Sequence, residues 1–123
     1  MIRGLVDDRL TAGIDLRTRG PGGVELALHA VIDTGFDDSL ILPAASVAIL
    51  GLTKSSVGQA FLADGSVKLF DVFDAEVEWY GSWRPIKVSA VDEETLVGMA
   101  MLERHELRIE VVPGGAVAIT RLP

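Results

Sequence analysis

The fold of this chain is organised around residues 30–43, AVIDTGFDDSLILP. The apolar residues before Asp33 predict a buried strand, and residues 39–42 predict the next strand. The loop between them is tight, and Gly35 within it is free to take backbone angles that other residues avoid. A carboxylate at this place lies at the end of a strand, on a rigid scaffold, and faces open space. Such a position is typical of a catalytic acid or base.

Asp33-Thr34-Gly35 is weak evidence when it is taken alone. A given tripeptide of this kind occurs by chance in on the order of a few per cent of chains this long. The alternative is an ordinary Asx-type turn, in which the Asp33 side chain only binds its own backbone. Features elsewhere in the sequence decide between the two interpretations.

The composition predicts one domain over residues 1–123 that binds neither nucleic acid nor an anionic membrane. The net charge of −7 and the isoelectric point near 4.7 disfavour both of these partners. Hydrophobic residues make up 49% of the chain and the mean hydropathy is +0.37, which is high for a small soluble monomer. A small domain with this surplus often buries apolar surface against a partner chain.

The residue types also bear on cofactors and location. The chain has no cysteine and two isolated histidines, so neither a disulfide framework nor a metal site is expected, and no cofactor is predicted. Charges interrupt the first residues at once, which is unlike a signal peptide. The longest uncharged run, residues 39–53, is too short to span a bilayer. A soluble, cytoplasmic protein is therefore expected.

Most of the remaining sequence alternates between apolar and polar residues in short segments, which predicts strands. Residues 14–18 and 24–32 predict two antiparallel strands around a glycine-rich turn, with His29 at the surface or at an edge. Pro43 and Gly51 bracket a predicted short helix over residues 44–50. Further strands are predicted at 74–80, 86–91, 107–112 and 116–120, a solvated turn at 92–94, and a change from strand to short helix within 95–105. The class is mostly β, because neither GxGxxG nor a P-loop occurs and the strands are closely spaced.

Residues 59–70 predict a hairpin, because Asp64-Gly65 lies between two apolar runs. The usual meaning of such a turn is a plain surface hairpin. The functional alternative is a mobile hairpin that closes over a cleft and excludes water.

With these segments in place, the sequence resembles the retropepsin-like aspartic proteases, the single-domain relatives of pepsin, over nearly its whole length. Asp33-Thr34-Gly35 resembles the catalytic motif of that family. Asp37 and Asp38 stand where many retroviral members also carry acids. The resemblance implies a retropepsin-like acid-protease half-barrel with one or two short helices, active as a symmetric dimer.

Two later landmarks extend the resemblance. Asp64-Gly65-Ser66 falls where the family has its flap. Leu96-Val97-Gly98 resembles the two apolar residues and glycine that lie behind the catalytic loop. Residues 98–105 also resemble a helix of the retroviral-type domain in DNA-damage-inducible ubiquitin-shuttle proteins. The order and spacing of these motifs favour the catalytic interpretation of Asp33 over the Asx turn.

The resemblance assigns roles to specific residues. Asp33 is the expected catalytic acid, Thr34 and Gly35 support its loop, and Thr34 is expected to bond across a twofold axis where the terminal strands, including 116–120, interleave. The expected substrate-binding residues are Phe36, Asp37, Asp38, Ala63, Asp64, Gly65 and Ser66, and the expected structural backing is Leu96, Val97 and Gly98.

Three residues depart from the family pattern. Phe36 stands where retroviral enzymes mostly have a small residue, which predicts a differently shaped substrate groove. Ala100 replaces an Asp or Asn of many members. Met99 replaces an arginine that pairs with an acid near the catalytic loop, so Asp37 is expected to lack that partner.

Two carboxylates that share one proton can hydrolyse a peptide bond without a metal, because one accepts a proton from water while the other donates to the carbonyl oxygen. This chain has a single Asp-Thr-Gly, so the second Asp33 is expected from a twofold-related copy. The prediction is a homodimeric aspartic endopeptidase acting on peptide or protein substrates. The alternative is a non-catalytic dimeric β module of the same fold that binds peptide in its groove. Phe36 and Ala100 keep this alternative open, while the intact Asp-Thr-Gly favours the enzyme.

Overall fold

The computed structural model describes residues 1–91 and 93–123, a part of the chain that contains ten strands and one helix. Asp92, within the predicted turn at 92–94, lies outside the described residues. The strands are β1 (Ile2–Val6), β2 (Ala12–Arg19), β3 (Glu25–Ile32), β4 (Leu40–Ile41), β5 (Thr53–Phe61), β6 (Val67–Trp79), β7 (Ser82–Ala90), β8 (Leu96–Val97), β9 (His105–Ile109) and β10 (Ala116–Arg121), and the helix is α1 (Ala44–Leu50). The predicted mostly β class is confirmed.

The strands form one sheet in the order β5-β6-β7-β4-β8-β3-β2-β1-β10-β9. Most neighbours are antiparallel, but β3 runs parallel to β8 and β4 runs parallel to β7. An additional pairing joins Thr18 and Arg19 of β2 to Val77 and Glu76 of β6, so the sheet closes on itself. The apolar side chains inside form one core, whose least exposed members include Ile14, Leu40, Leu42, Leu50, Met101 and Ile119.

The predicted strand pair at the start of the chain is confirmed by the antiparallel pairing of β2 with β3. Ile14 and Leu16 are buried while Asp15 and Arg17 are exposed, as the alternating pattern requires. His29 is exposed, and its Nδ1 lies 2.9 Å from Asp15 Oδ1, which agrees with a surface histidine.

Helix α1 has the predicted bounds. It begins after Pro43 and ends at Gly51, which has a left-handed backbone with φ 62°. The N–H of Gly51 donates to the carbonyl of Ala48 at 3.1 Å, and glycine takes this conformation without the steric penalty of a side chain. The helix buries Val47 and Leu50 against the sheet.

The second short helix predicted within residues 95–105 is wrong, because residues 99–104 form consecutive turns. The N–H of Leu102 donates to the carbonyl of Met99, and that of His105 to the carbonyl of Leu102, both at 3.0 Å. These bonds connect residues three apart, whereas α-helical bonds connect residues four apart. The apolar spacing arises because Met101 and Leu102 are buried beneath the turns.

The observed bounds of several other strands differ from the predicted bounds. Strand β6 has 13 residues, so the predicted strand 74–80 is its second half. Strand β9 ends at Ile109, and β1 forms where no strand was predicted. Among the described residues, no helix has both the length and the apolar character needed to cross a membrane.

The C-terminal strand pairs entirely within its own chain. Strand β10 lies between β1 and β9 and is antiparallel to both, with Ile119 opposite Ile2 on one side and Leu107 on the other. Both of its edges are therefore occupied, contrary to the expectation that residues 116–120 interleave with a partner chain. The two ends of the sheet order are β5 and β9.

Candidate active site

Asp33 follows β3 directly, at the point where the parallel strands β3 and β8 end side by side. Ile32 is paired with Val97 in the sheet, and the N–H of Asp33 donates to the carbonyl of Val97 at 2.9 Å. This bond extends the pairing by one residue and fixes the backbone of Asp33. The side chain is half-buried at the opening of the loop.

The Asp33 carboxylate is oriented by its own loop. The N–H of Gly35 donates to Asp33 Oδ1 at 2.9 Å, and the N–H of Phe36 donates to the Asp33 carbonyl at 3.2 Å. The Asx turn considered above is therefore present. Among residues 1–91 and 93–123, no other hydrogen bond to this carboxylate is formed, so Oδ2 has no partner within this part of the chain.

Gly35 is required for a different reason from the one expected. Its backbone is not in the left-handed region that favours glycine. A Cβ at this position would instead lie 3.3 Å from Asp33 Oδ1, closer than an ordinary van der Waals contact. The absence of a side chain lets the Gly35 N–H approach the carboxylate.

The structure brings Leu96, Val97 and Gly98 together directly behind this loop. Leu96 and Val97 are buried in β8, which lies between β3 and β4. A Cβ on Gly98 would lie 2.1 Å from the carbonyl oxygen of Asp38 and 2.7 Å from that of Phe36. Only glycine fits at this contact, because the obstructing atoms belong to the backbone.

The turn residues after Gly98 hold the far side of the loop through backbone hydrogen bonds. The N–H of Met99 donates to the carbonyl of Phe36 at 2.8 Å. The N–H of Ala100 is shared between the carbonyls of Asp37 and Asp38, at 3.1 and 3.3 Å. The loop is thus held by main-chain atoms of two residues whose side chains depart from the family pattern.

The other predicted residues of the Asp33 loop differ in their surroundings, because Phe36 packs beside Gly98 whereas the rest are exposed. The ring of Phe36 is turned towards the backing glycine, since its Cδ2 would lie 2.4 Å from a Cβ on Gly98. Thr34, Asp37 and Asp38 are exposed, and none of their side chains hydrogen-bonds within the described part of the chain.

The second predicted group, Ala63 to Ser66, forms the tip of the β5–β6 hairpin and is fully exposed to solvent. The N–H of Gly65 donates to Leu62 O at 3.0 Å, and the N–H of Leu62 donates to Ser66 O at 2.9 Å. Five residues separate the two strands, and the bond between Leu62 and Ser66 leaves three of them, residues 63–65, in the turn itself. Gly65 takes φ 85° in the left-handed region.

Asp64 organises the tip. Its Oδ1 accepts hydrogen bonds from Ser66 Oγ at 2.5 Å and from the Ser66 N–H at 2.9 Å. The Ser66 hydroxyl first, and then the Ser66 N–H, lower the pKa of the Asp64 carboxyl from its ordinary value. The apolar side chains that flank the tip are unusually exposed to solvent: Phe61 is 79% exposed and Leu69 is 62% exposed.

Metal binding has little support in the described residues, where no group of three or more His, Asp or Glu side chains is placed to hold an ion. The two histidines are far apart in the sheet, His29 in β3 and His105 at the start of β9.

A solved structure has the same architecture. It is the crystal structure of a retropepsin-like aspartic protease from Rickettsia conorii, with a TM-score of 0.64 and 19% sequence identity over 98% of this chain and 89% of that chain. The chain has the retropepsin-like fold. Neither a protein-family model nor a curated protein sequence matches it.

Within the retropepsin-like fold, some features of the site could not be inferred from the sequence. The backbone bonds from Met99 and Ala100 to the loop carry no signal in residue identity, since any residue other than proline supplies an N–H. The direction of the Phe36 ring likewise depends on the space beside Gly98. The resemblance of Leu96-Val97-Gly98 to a family landmark was the signal that did point to the backing contact.

Proposed function

We propose that this protein is an aspartic endopeptidase in which the Asp33 carboxylates of two chains activate a water molecule between them. The observation that carries the proposal is the state of Asp33 itself. Its Oδ1 is fixed by the Gly35 N–H at 2.9 Å, and its loop is backed by the buried Val97 and by Gly98 in a retropepsin-like fold. A carboxylate held at one oxygen and open at the other is suited to proton transfer.

The reaction follows from two such carboxylates near a common axis. Like charges about 3 Å apart do not ionise together easily, so the pair retains one proton. The ionised member accepts a proton from water, which attacks the carbonyl carbon of the peptide. The protonated member donates to the carbonyl oxygen, which gives a tetrahedral diol. The carboxyl that took the water proton then passes it to the amide nitrogen as the C–N bond breaks, and a hydroxyl of the diol returns its proton to the other carboxylate as the carboxylic acid product forms. The two acids titrate as one unit.

The proposal requires a homodimer, because the chain has one Asp-Thr-Gly. The exposed Thr34 and Asp37 beside Asp33 leave this end of the loop accessible to a second copy. A twofold axis beside Asp33 would place the same loop residues opposite one another. The exposed hydroxyl of Thr34 is then available to bond with the partner loop.

The hairpin tip is proposed to act as a flap over a bound peptide. Its support is the exposed position of Ala63, Asp64 and Gly65, together with the open apolar side chains of Phe61 and Leu69. Closing such side chains over a peptide would bury apolar surface and exclude water from the reaction. A cytoplasmic location stays a prediction.

Peptide cleavage tests the catalytic part of the proposal. The wild type is expected to cleave unfolded protein substrates at acidic to mildly acidic pH and to be inhibited by a pepstatin-type inhibitor, which also raises its unfolding temperature. Asp8→Asn is the matched control, because it removes an exposed acid in the turn between β1 and β2, outside the Asp33 loop and the hairpin tip, and is expected to keep most of the activity. A thermal shift with inhibitor but no cleavage under any condition would instead support the peptide-binding module.

Sedimentation across a dilution series tests the dimer. Activity per chain is expected to fall as the dimer dissociates. A monomer that remains active at every concentration would contradict a site shared between two chains.

A further inference from the structure

A cavity of about 310 Å³ lies between β7, the turns at residues 99–104 and the end of β10. Arg84, Arg104 and Arg121 line it, each from a different one of these elements. Glu103 is the acid in the lining, so the positive charges outnumber the negative charge. This is an unusual concentration of positive charge in a chain of net charge −7.

None of these three arginines forms an ion pair within the described part of the chain. Several cations elsewhere on the sheet are paired, among them Arg19 with Glu76 at 2.9 Å and Lys54 with Asp71 at 3.0 Å. The arginines of the cavity therefore keep their charge uncompensated by protein carboxylates. Three neighbouring cations repel one another unless an anion lies among them.

Two of the guanidinium groups are held in place by uncharged partners. Arg84 donates from Nη1 to the carbonyl of Met101 at 2.9 Å, and its Cζ lies 5.7 Å from the centre of the Trp79 ring. The Cζ of Arg121 lies 4.1 Å over the ring of Tyr80. A guanidinium has five N–H donors, so these contacts leave most of the donors available to a ligand. The side chains are positioned before an anion arrives, which lowers the entropy cost of binding.

His105 also lines the cavity, and both of its ring nitrogens have partners within the fold. Trp79 Nε1–H donates to His105 Nε2 at 3.1 Å, and His105 Nδ1 lies 2.8 Å from the carbonyl oxygen of Glu103. These contacts fix the ring as part of the cavity wall.

The turn that carries Arg104 also has a strained backbone. Arg104 has φ 64°, in the left-handed region where residues other than glycine are uncommon. The backbone at Arg104 is bonded to the last residues of the chain, because the Leu122 N–H donates to the Arg104 carbonyl at 2.9 Å. This backbone conformation places the Arg104 side chain at the edge of the cavity.

We propose that this cavity binds a phosphate group, either free phosphate or the phosphate of a small ester. Guanidinium groups recognise phosphate oxygens through paired, charge-assisted hydrogen bonds. Three guanidinium groups that come from three separate elements can contact a tetrahedral anion from several sides. A carboxylate is planar and suits this arrangement less well. The proposal does not depend on catalysis at Asp33, because none of these residues belongs to the Asp33 loop.

Titration with inorganic phosphate at constant ionic strength tests the proposal, with glycerol 1-phosphate as the ester and sodium chloride as the blank. The chain has two tryptophans, so the indole N–H signal of Trp79 in a nitrogen–proton NMR spectrum is a local reporter. We expect a saturable shift of this signal with phosphate and none with chloride. Tighter binding of glycerol 1-phosphate than of inorganic phosphate would identify a phosphate ester as the ligand. Equal binding of the two would identify free phosphate.

Arg104→Gln and Arg121→Gln are the test variants, each at an exposed position where loss of charge leaves the core intact. Each is expected to weaken phosphate binding about tenfold. Arg108→Gln on β9, outside the cavity, is the matched control and is expected to bind as the wild type does. The proposal is overturned if the signal shifts linearly without saturation, or if the control loses as much binding as the two test variants.

Discussion

Two loops of this chain contain the same local motif with different surroundings. At Asp33 and at Asp64 a carboxylate oxygen accepts the N–H of the residue two positions later, at 2.9 Å in both cases. The first loop is backed by Val97 and Gly98, whereas the second is an exposed hairpin tip. The comparison teaches that the Asx turn does not itself distinguish a catalytic acid from a turn residue. The packing behind the turn makes the difference.

Exchanging each acid for its amide is the strongest test of this comparison. Asp33→Asn keeps the hydrogen bond to Gly35 but removes proton transfer, so activity is expected to fall by a factor of about 10³ or more. Stability should hold or rise, because the change also removes repulsion between two close carboxyls. Asp64→Asn keeps the turn and should retain activity within a few-fold. Peptide-cleavage rates and denaturant unfolding of both variants measure these effects, and an active Asp33→Asn variant would end the protease interpretation.

Adding one methyl group behind the Asp33 loop should have the next largest effect. In Gly98→Ala the new Cβ would lie 2.1 Å from the Asp38 carbonyl oxygen, so the loop or β8 must move. We expect a loss of about 3 kcal/mol in the free energy of unfolding, together with a loss of activity.

Gly22→Ala is the matched control for that change. A Cβ on Gly22 meets no atom within 4 Å, and we expect the free energy of unfolding to change by no more than about 0.5 kcal/mol. Equal losses in the two variants, measured by urea unfolding, would show that the loop is not closely backed.

Hydrogen exchange should separate the two loops without any mutation. The amides of Asp33 and Gly98 are bonded to main-chain carbonyls of buried segments, and they should exchange slowly. The amides of Gly65 and Ser66 depend on bonds within an exposed tip, and they should exchange faster. A pepstatin-type inhibitor should raise protection at the tip. Unchanged exchange there, with inhibitor bound, would contradict its role as a flap.

The smallest expected effect concerns the pH dependence of the hairpin tip. Because the folded tip lowers the pKa of Asp64, the ionised carboxylate stabilises it above the ordinary aspartate pKa. That contribution is lost as the pH falls through the lowered pKa. In Ser66→Ala the pKa of Asp64 should move back towards its ordinary value, which an NMR titration of the carboxyl carbon would measure. Ser55→Ala, in β5, is the control and should leave the pKa of Asp64 unchanged.

Local features of the fold were predictable where one residue type has one dominant structural use. Pro43 and Gly51 defined α1, and Asp64-Gly65 defined the hairpin. The turns at residues 99–104 were not predictable, because buried Met101 and Leu102 have the spacing of a helix while the preceding backbone is bonded to the Asp33 loop. The pairing of β10 with β1 was missed for another reason: partners over a hundred residues apart leave no local pattern.

The candidate site, like the fold, was predictable only in part. Asp33 was found because an acid directly follows an apolar run, and Gly98 because Leu96-Val97-Gly98 resembles a landmark of the retropepsin-like family. Their mutual arrangement was not, since the hydrogen bonds that join them use main-chain atoms common to all residues. The arginine cavity left no signal at all, because Arg84, Arg104 and Arg121 are scattered through the sequence and meet only in the closed sheet.

The self-paired C-terminal strand has a consequence for how the proposed enzyme is controlled. Since β10 already has both of its neighbours within one chain, each chain completes its own sheet before it meets a second copy. For the proposed dimer, folding and pairing would then be separate equilibria, and dilution would yield folded but silent subunits. At concentrations far below the dissociation constant, total activity would rise with the square of the amount of chain. The abundance of the protein would thus act as its switch.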